Sequence, residues 1–189
     1  MRNQKIGSSF ATWAVGTANN KNSDKVLKKL SSAKTRQNTR YCLFNAESAV
    51  SEKQAEHALK NALLGFENQS MILNDLGLEI LLRLSGQRQI KNALDFFGAG
   101  QDTAYVGIVV ISKTKKEATE TFSKIKKELG FREINSDDFF SRNWKNNSEK
   151  IKKRFAISKL EIESFGKMPE QKAVESLAME RTALLDLET

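Results

Sequence analysis

The stretch from Leu78 to Leu94, LEILLRLSGQRQIKNAL, is the feature that most constrains how this chain can fold. Its apolar run stops at Ser85-Gly86, three polar residues follow, and a second apolar stripe then begins. Two buried elements must therefore meet at a short polar corner that carries an arginine and two glutamines. A corner of this kind holds hydrogen-bonding groups on a rigid edge, which is typical of recognition sites.

Length and composition predict a single domain over residues 1–189. The chain is long enough to bury its own core, 39% of its residues are hydrophobic, and no linker rich in Pro, Gly or Ser divides it. Residues 17–39 differ from the rest because they are strongly basic and have few apolar anchors. We expect a weakly packed helix or a mobile loop there.

The single cysteine, Cys42, excludes an internal disulfide and a cysteine-rich metal site, and it favours a reducing compartment. The first ten residues lack the apolar core of a signal peptide, and no apolar run is long enough to cross a bilayer. We therefore expect a soluble, cytoplasmic protein that needs no metal, no cofactor and no membrane.

The net charge of +8 is unevenly distributed along the chain. The segment from Glu161 to the end contains seven acidic and three basic residues, so residues 1–160 carry a net charge of +12. A body this basic favours a polyanionic partner through counterion release and electrostatic steering. The alternative is that the lysines only solvate helix faces.

Apolar patterns predict an α/β or α+β fold, with a small mixed β-sheet packed against several amphipathic helices. Strands are predicted at residues 8–15, 41–44 and 104–111, and the last of these has the continuous apolar run of a central strand that is covered on both faces.

Local signals also predict where helices begin and end. Ser51 and Gln54 have the spacing of a capping box, and the run from Leu78 to Leu84 is expected as a short helix capped by Asn74 or Asp75, with a strand as the alternative. The other expected features are a left-handed cap at Gly98, a helix closed by Gly130, an irregular segment anchored by Phe139 and Phe140, a basic helix at 148–156, and a final helix that begins near Pro169.

The sequence offers few residues whose type and spacing would suit a catalytic site. Cys42 and His57 lie in different predicted elements, so a Cys–His pair is disfavoured. Glu79 and Asp95 flank the corner and could form an acid–base pair, but a salt bridge with a neighbouring arginine is the commoner outcome. We therefore assign no catalytic residue, and an enzyme is the weakest of the hypotheses.

The corner itself has the chemistry of a site for unpaired nucleotides. Arginine can hold phosphate and stack on a base, glutamine can pair with base edges, and the backbone at Ser85-Gly86 can approach a ligand closely. In the alternative, the amides cap the second helix and the arginines are solvated. The residues alone do not decide between these interpretations.

The run EILLRLSGQRQI, from Glu79 to Ile90, closely resembles the signature of the small KEOPS/EKC subunit, a family that includes the eukaryotic protein that binds the p53-related kinase PRPK. The similarity is greatest to archaeal members. It is specific over residues 41–111, extends from there to the end of the chain, and is weak before residue 40. Further matching positions are Asn45-Ala46, His57-Ala58, Ala93 and Gly98.

This resemblance implies a non-catalytic subunit of a complex that makes threonylcarbamoyladenosine in tRNAs that read codons beginning with A. In the family, the small subunit binds the single-stranded CCA tail at the 3′ end of tRNA. It also docks on the N-terminal lobe of the kinase-like ATPase subunit, and the chemistry belongs to that subunit and to the threonylcarbamoyl transferase.

The resemblance places the tRNA tail at the corner. We expect Arg83 and Arg88 to bind phosphate or stack on bases, Gln87 and Gln89 to meet base or ribose edges, and Ile90 to give apolar support. The remaining expected tail-binding residues are Ser85, Gly86 and Lys91.

Other contacts are expected away from the corner. The body of the tRNA would meet dispersed lysines, among them Lys28, Lys29, Lys152 and Lys153. The kinase-like partner is expected on the final helix, at Val174, Leu177 and Leu184, although such a stripe is more often core. The alternative function is a purely structural regulator of the kinase-like subunit that does not bind RNA.

Overall fold

The computed structural model describes residues 1–18, 39–100 and 102–187. Most of the basic segment predicted at 17–39 therefore lies outside the described residues.

Five strands form one sheet with the order β1–β2–β4–β3, and β5 pairs with the end of β2. Their bounds are β1 (Arg2–Ile6), β2 (Ser9–Thr17), β3 (Arg40–Asn45), β4 (Tyr105–Ser112) and β5 (Arg132–Glu133). Every pairing among the described strands is antiparallel, so the sheet is not the mixture of parallel and antiparallel strands that we expected. The predicted α+β class is confirmed.

The described residues also form seven α-helices. Their bounds are α1 (Glu52–Glu67), α2 (Leu76–Ser85), α3 (Ile90–Phe97), α4 (Lys115–Glu128), α5 (Ser136–Arg154), α6 (Lys159–Glu163) and α7 (Glu170–Leu184). Within the described ranges, none of these helices combines the length and the apolarity that crossing a membrane requires.

The sheet separates two hydrophobic cores. On one face, Ile108 and Val110 of β4 pack with Phe122 and Ile125 of α4. On the other face a larger core gathers the helices α1, α2, α5 and α7, and it takes the alternate β4 residues such as Val109. β4 is therefore covered on both faces, as its apolar run predicted.

The start of α1 confirms half of the predicted capping box. The Ser51 hydroxyl accepts a hydrogen bond from the backbone N–H of Gln54 at 3.1 Å. The Gln54 side chain does not return to the cap, because it is buried and its Nε2 donates to the carbonyl of Leu84 at 3.0 Å. Gln54 thus ties α1 to the end of α2.

Two glycines were predicted to end helices, Gly98 as a left-handed cap and Gly130 as the residue that closes its helix. Gly130 has φ +57° after α4, as expected. Gly98 has φ −61° and ψ 130°, so its prediction is wrong: α3 ends in extended backbone, which forms a bridge with Phe44 of β3. Tertiary pairing with the sheet therefore replaces the local cap.

The segment around Phe139 and Phe140 is helical and not irregular. Both residues lie near the start of α5, where the Asn135 side chain accepts a hydrogen bond from the N–H of Asp138 at 3.0 Å. The two phenylalanines are buried in the larger core and pack on each other with ring centroids 5.0 Å apart. The predicted basic helix at 148–156 is the last part of α5, which ends at Arg154.

The short helix α6 depends on a charged cap. Glu161 accepts a hydrogen bond from the backbone N–H of Ser158 at 2.7 Å and forms an ion pair with Arg181 of α7. The backbone N–H of Ser158, followed by the Arg181 guanidinium, lowers the pKa of the Glu161 carboxyl to about 2.

Replacing Glu161 with glutamine should remove a pH-dependent part of the stability. The carboxyl has a lowered pKa in the folded state, so its contribution is complete above its ordinary pKa of 4.5 and is lost as the pH falls towards about 2. We expect the difference in melting temperature between the wild type and Glu161→Gln to shrink across this interval. Melting curves from pH 7 to pH 2 measure it.

Glu163→Gln is the matched control, because Glu163 lies in the same helix and its carboxylate forms an ion pair with the exposed Lys159 at 3.5 Å. A difference for Glu161→Gln that is constant from pH 7 to pH 2 would show that the carboxylate charge does not hold this cap.

Candidate nucleic-acid interface

The polar corner begins where α2 ends. The Asp75 carboxylate caps the start of this helix by accepting a hydrogen bond from the N–H of Leu78 at 2.9 Å, which confirms the helix over the alternative strand. Gly86 ends the helix with φ +61° and ψ 24°, a conformation that favours glycine. A Cβ atom at Gly86 would lie 2.8 Å from the Cβ of Arg181, so glycine also allows α7 to approach closely.

Side chains from three parts of the chain bind the last carbonyl groups of α2. Such carbonyls have no partner within their own helix and need one from elsewhere when they are buried. The three hydrogen bonds are Ser85 Oγ to the Leu82 carbonyl at 2.9 Å, Thr182 Oγ1 to the Arg83 carbonyl at 2.7 Å, and Gln54 Nε2 to the Leu84 carbonyl at 3.0 Å. α1 and α7 therefore both hold the turn from which the corner projects.

Arg83 lies in the interior beneath this turn, with 0% of its surface exposed. Its Nε donates to Glu79 Oε1 at 2.9 Å, which confirms the salt bridge that the sequence favoured. Its Nη2 lies 2.7 Å from Oδ1 of Asp186, in the turn that follows α7. Burial opposes the charge, but the contacts with Asp186 and Glu79 outweigh it and raise the pKa of Arg83.

The burial of Arg83 corrects its expected role. A guanidinium enclosed by protein and paired with two carboxylates has no surface for a phosphate or a base. Ser85 is also buried, and its hydroxyl accepts a hydrogen bond from the N–H of Gln87 at 3.2 Å. Arg83 and Ser85 hold the corner in shape.

The accessible part of the corner comprises the residues that follow Gly86. Gln87, Arg88 and Ile90 are half-buried, whereas Gln89 and Lys91 are exposed. Gln89 occupies the position that caps α3, but its side chain makes no capping hydrogen bond. The Gln89 amide therefore does not act as a helix cap, which was the alternative to its role in binding. One amide and one ammonium are thus exposed along a short edge, beside an amide and a guanidinium that are half-buried.

The lysines expected to meet a tRNA body fall into three groups. Lys28 and Lys29 lie outside the described residues. Lys153 is exposed on α5. Lys152 is engaged within the protein, since its Nζ lies 2.5 Å from Glu149 and 2.6 Å from Glu170.

The stripe expected to dock the kinase-like partner faces inward. Val174 and Leu177 of α7 are buried in the larger core, so neither offers a docking surface. Leu184 is half-buried at the end of the helix, and Leu187, which follows it, is 76% exposed. The accessible apolar surface of this element is therefore at its carboxyl end.

The groups considered for catalysis are dispersed. Cys42 is buried in β3, and burial, followed by the charge of Asp75, raises the pKa of its thiol. His57 lies on α1, where burial and Lys60 lower the pKa of its imidazole. Across the ranges that the structure describes, no group of three His, Cys, Asp or Glu side chains could hold a metal ion.

The residues that fix the corner from outside α2 were missed by the sequence analysis. Thr182 lies 99 residues from Arg83 along the chain, and Gln54 lies 30 residues from Leu84. Contacts at such separations leave no periodic pattern. The one local signal was the spacing of Glu79 and Arg83, four residues apart within an apolar helix.

Comparison with known proteins gives one family match. The model of a family described as kinase binding protein CGI-121 matches residues 18–186, which includes the corner and α7. No curated protein matches the chain.

Replacing Gly86 with alanine should destabilise the protein through both backbone strain and a clash. The left-handed conformation costs a residue with a Cβ about 1–2 kcal/mol, and the approach of Arg181 should add about 1–3 kcal/mol. Urea denaturation of the wild type and the variant measures the sum.

Gly166→Ala is the matched control for the strain alone, because Gly166 has φ +64° and no atom lies within 4 Å of a Cβ built there. Equal losses of unfolding free energy for Gly86→Ala and Gly166→Ala would contradict the close packing of α7 on the corner.

Proposed function

Because the chain belongs to the CGI-121 family of kinase-binding proteins, we propose that it is a non-catalytic KEOPS/EKC-type subunit whose corner binds the 3′ CCA tail of tRNA. In this role it presents tRNA to a kinase-like ATPase partner. Through that partner it supports the transferase that forms N6-threonylcarbamoyladenosine.

The observation that carries the RNA-binding proposal is the edge formed by Gln87 to Lys91. It combines a guanidinium, an ammonium and two amides, and it projects from a turn that α1 and α7 hold by hydrogen bonds. A single-stranded tail offers phosphates together with the unpaired edges and faces of its bases. Such a ligand is bound best by groups that are already in position, because little freedom is then lost on binding.

The charge of the protein supports the same partner. The net charge is +8, and the +12 carried by residues 1–160 would attract the tRNA body and speed encounter. Lys153, exposed on α5, belongs to this basic surface. The basic charge of the protein would thus contribute long-range attraction to tRNA, and the corner would contribute short-range recognition of its tail.

Kinase docking is proposed at the carboxyl end of α7. Leu184 and the exposed Leu187 give an apolar surface there, and the neighbouring Asp186 provides a charged group beside it. An apolar centre with a polar rim is what a rigid partner lobe requires.

Trimming the CCA end from a tRNA should weaken its binding to this protein. The trimmed tRNA keeps nearly all of its phosphates, so attraction to the basic body is retained while contacts at the corner are lost. We expect a loss of about tenfold or more in affinity, which corresponds to about 1.4 kcal/mol. Titrations at one fixed salt concentration compare the two RNAs, and equal affinities would rule out tail binding.

Arg88→Ala should lower both the affinity for intact tRNA and its dependence on salt. If Arg88 neutralises one phosphate, the slope of log K against log salt should fall in magnitude by roughly 0.7, the value for a single-stranded contact. Binding is measured at four or more salt concentrations.

Arg142→Ala provides the control, because it removes the same charge from an exposed position on α5. A slope for Arg88→Ala that matches the slope of this control would make Arg88 a structural residue.

The second candidate function is a structural regulator of the kinase-like partner that does not bind RNA. It is favoured by one observation: the corner arginine with the best-defined contacts, Arg83, is enclosed within the protein. This function predicts a stable complex with the kinase-like subunit and no measurable affinity for intact tRNA, so the tRNA titration distinguishes it from the first.

A further inference from the structure

We propose that Asp186 and Thr182, at the end of α7, are positioning residues for the RNA-binding corner. The proposal rests on the proposed function for its RNA readout. It states that the corner takes its binding shape only while the end of α7 holds the last turn of α2.

The first contact is made to a buried charge. The Arg83 guanidinium is enclosed, and the carboxylate of Glu79 beside it is already shared with the N–H of Leu73 at 3.0 Å. Gly65 of α1 closes another side, since a Cβ there would lie 3.8 Å from Nη2 of Arg83. The Asp186 carboxylate, 2.7 Å from that nitrogen, is the partner that comes from α7. Without it, part of a buried cation would lose its pairing.

The second contact is made to the backbone. The Thr182 hydroxyl donates to the Arg83 carbonyl at 2.7 Å, and Thr182 is itself buried. This bond fixes the direction of a peptide group three residues before Gly86. Thr182 therefore binds the main chain of Arg83, and Asp186 binds its side chain.

The third contact limits movement of the turn. Gly86 packs against Arg181, which is held in turn by its ion pair with Glu161 of α6. Three contacts from Arg181, Thr182 and Asp186 therefore reach the last turn of α2. Three points of attachment fix both the position and the rotation of a turn, and Gln87 is the next residue along the chain.

Asp186 differs from the other two residues because it is 53% exposed. Its contact with Arg83 can therefore be broken without opening the core. A change at this one surface carboxylate should alter the corner while the fold persists.

The test compares Asp186→Asn and Thr182→Val in the full chain with the wild type. Thr182→Val removes the hydrogen bond to the Arg83 carbonyl, and Asp186→Asn removes the negative charge that pairs with the Arg83 guanidinium. Both substitutions nearly keep the shape of the side chain. We expect affinity for intact tRNA to fall by roughly threefold to tenfold, the range for one lost hydrogen bond or ion-pair contact. We expect the salt slope to change less than it does in Arg88→Ala, because the charged side chain of Arg88 is still present. Amide hydrogen exchange at residues 86–89 should become faster.

The controls separate positioning from general destabilisation. Asp186→Glu keeps the charge and should recover part of the affinity. Glu180→Gln removes the same charge from an exposed position on α7 and should behave as the wild type. Melting curves of all variants show which of them are folded at the temperature of the assay.

Two results would overturn the proposal. One is wild-type affinity for intact tRNA in both Asp186→Asn and Thr182→Val, with the wild type still distinguishing intact from trimmed tRNA. The other is unchanged exchange at residues 86–89 in both variants. If the wild type does not distinguish the two RNAs, the proposed function fails by itself, and the exchange measurement still decides whether α7 positions the corner.

Discussion

The corner depends on one physical constraint, which is that the buried charge of Arg83 must be paired. Moving a cation out of water costs several kcal/mol, and only well-placed carboxylates offset it. Glu79 supplies one from the same helix, and Asp186 supplies another from the end of α7. Since two separate helices must satisfy one side chain, their relative position is fixed. The ion pairs therefore determine geometry more than they add stability.

Main-chain capping extends the same constraint to a third helix. The carbonyls that α2 leaves open at its end are bound by Ser85 of its own turn, Thr182 of α7 and Gln54 of α1. Each of these bonds satisfies a group that would be costly to bury alone. Helices α1, α2 and α7 thus form one rigid support, and the polar edge from Gln87 onward begins where that support ends.

Local physics made much of this fold predictable from the sequence. The apolar run of β4, the Asp75 cap and the left-handed Gly130 depend on neighbouring residues, and the structure confirms them. Predictions failed where distant contacts override local preference. Gly98 pairs with β3 and does not cap its helix, and the side chain of Gln54 turns away from its own cap. The corner could be located from sequence, but the interior position of Arg83 could not, because Thr182 and Asp186 lie about a hundred residues away.

The acidic residues near the end of the chain pair with arginines next to the corner. Two of the acidic residues in the segment after residue 160, Glu161 and Asp186, pair with Arg181 and Arg83, which are the arginines behind the corner. The positive charges of these two arginines are therefore compensated by carboxylates of the protein itself. Arg88 and Lys91 lie on the accessible side of the same corner, where Arg88 is half-buried and Lys91 is exposed. Acidic residues near the end of the chain thus compensate the arginines that support the corner, while the ammonium group of Lys91 on the other side of the corner stays exposed to solvent.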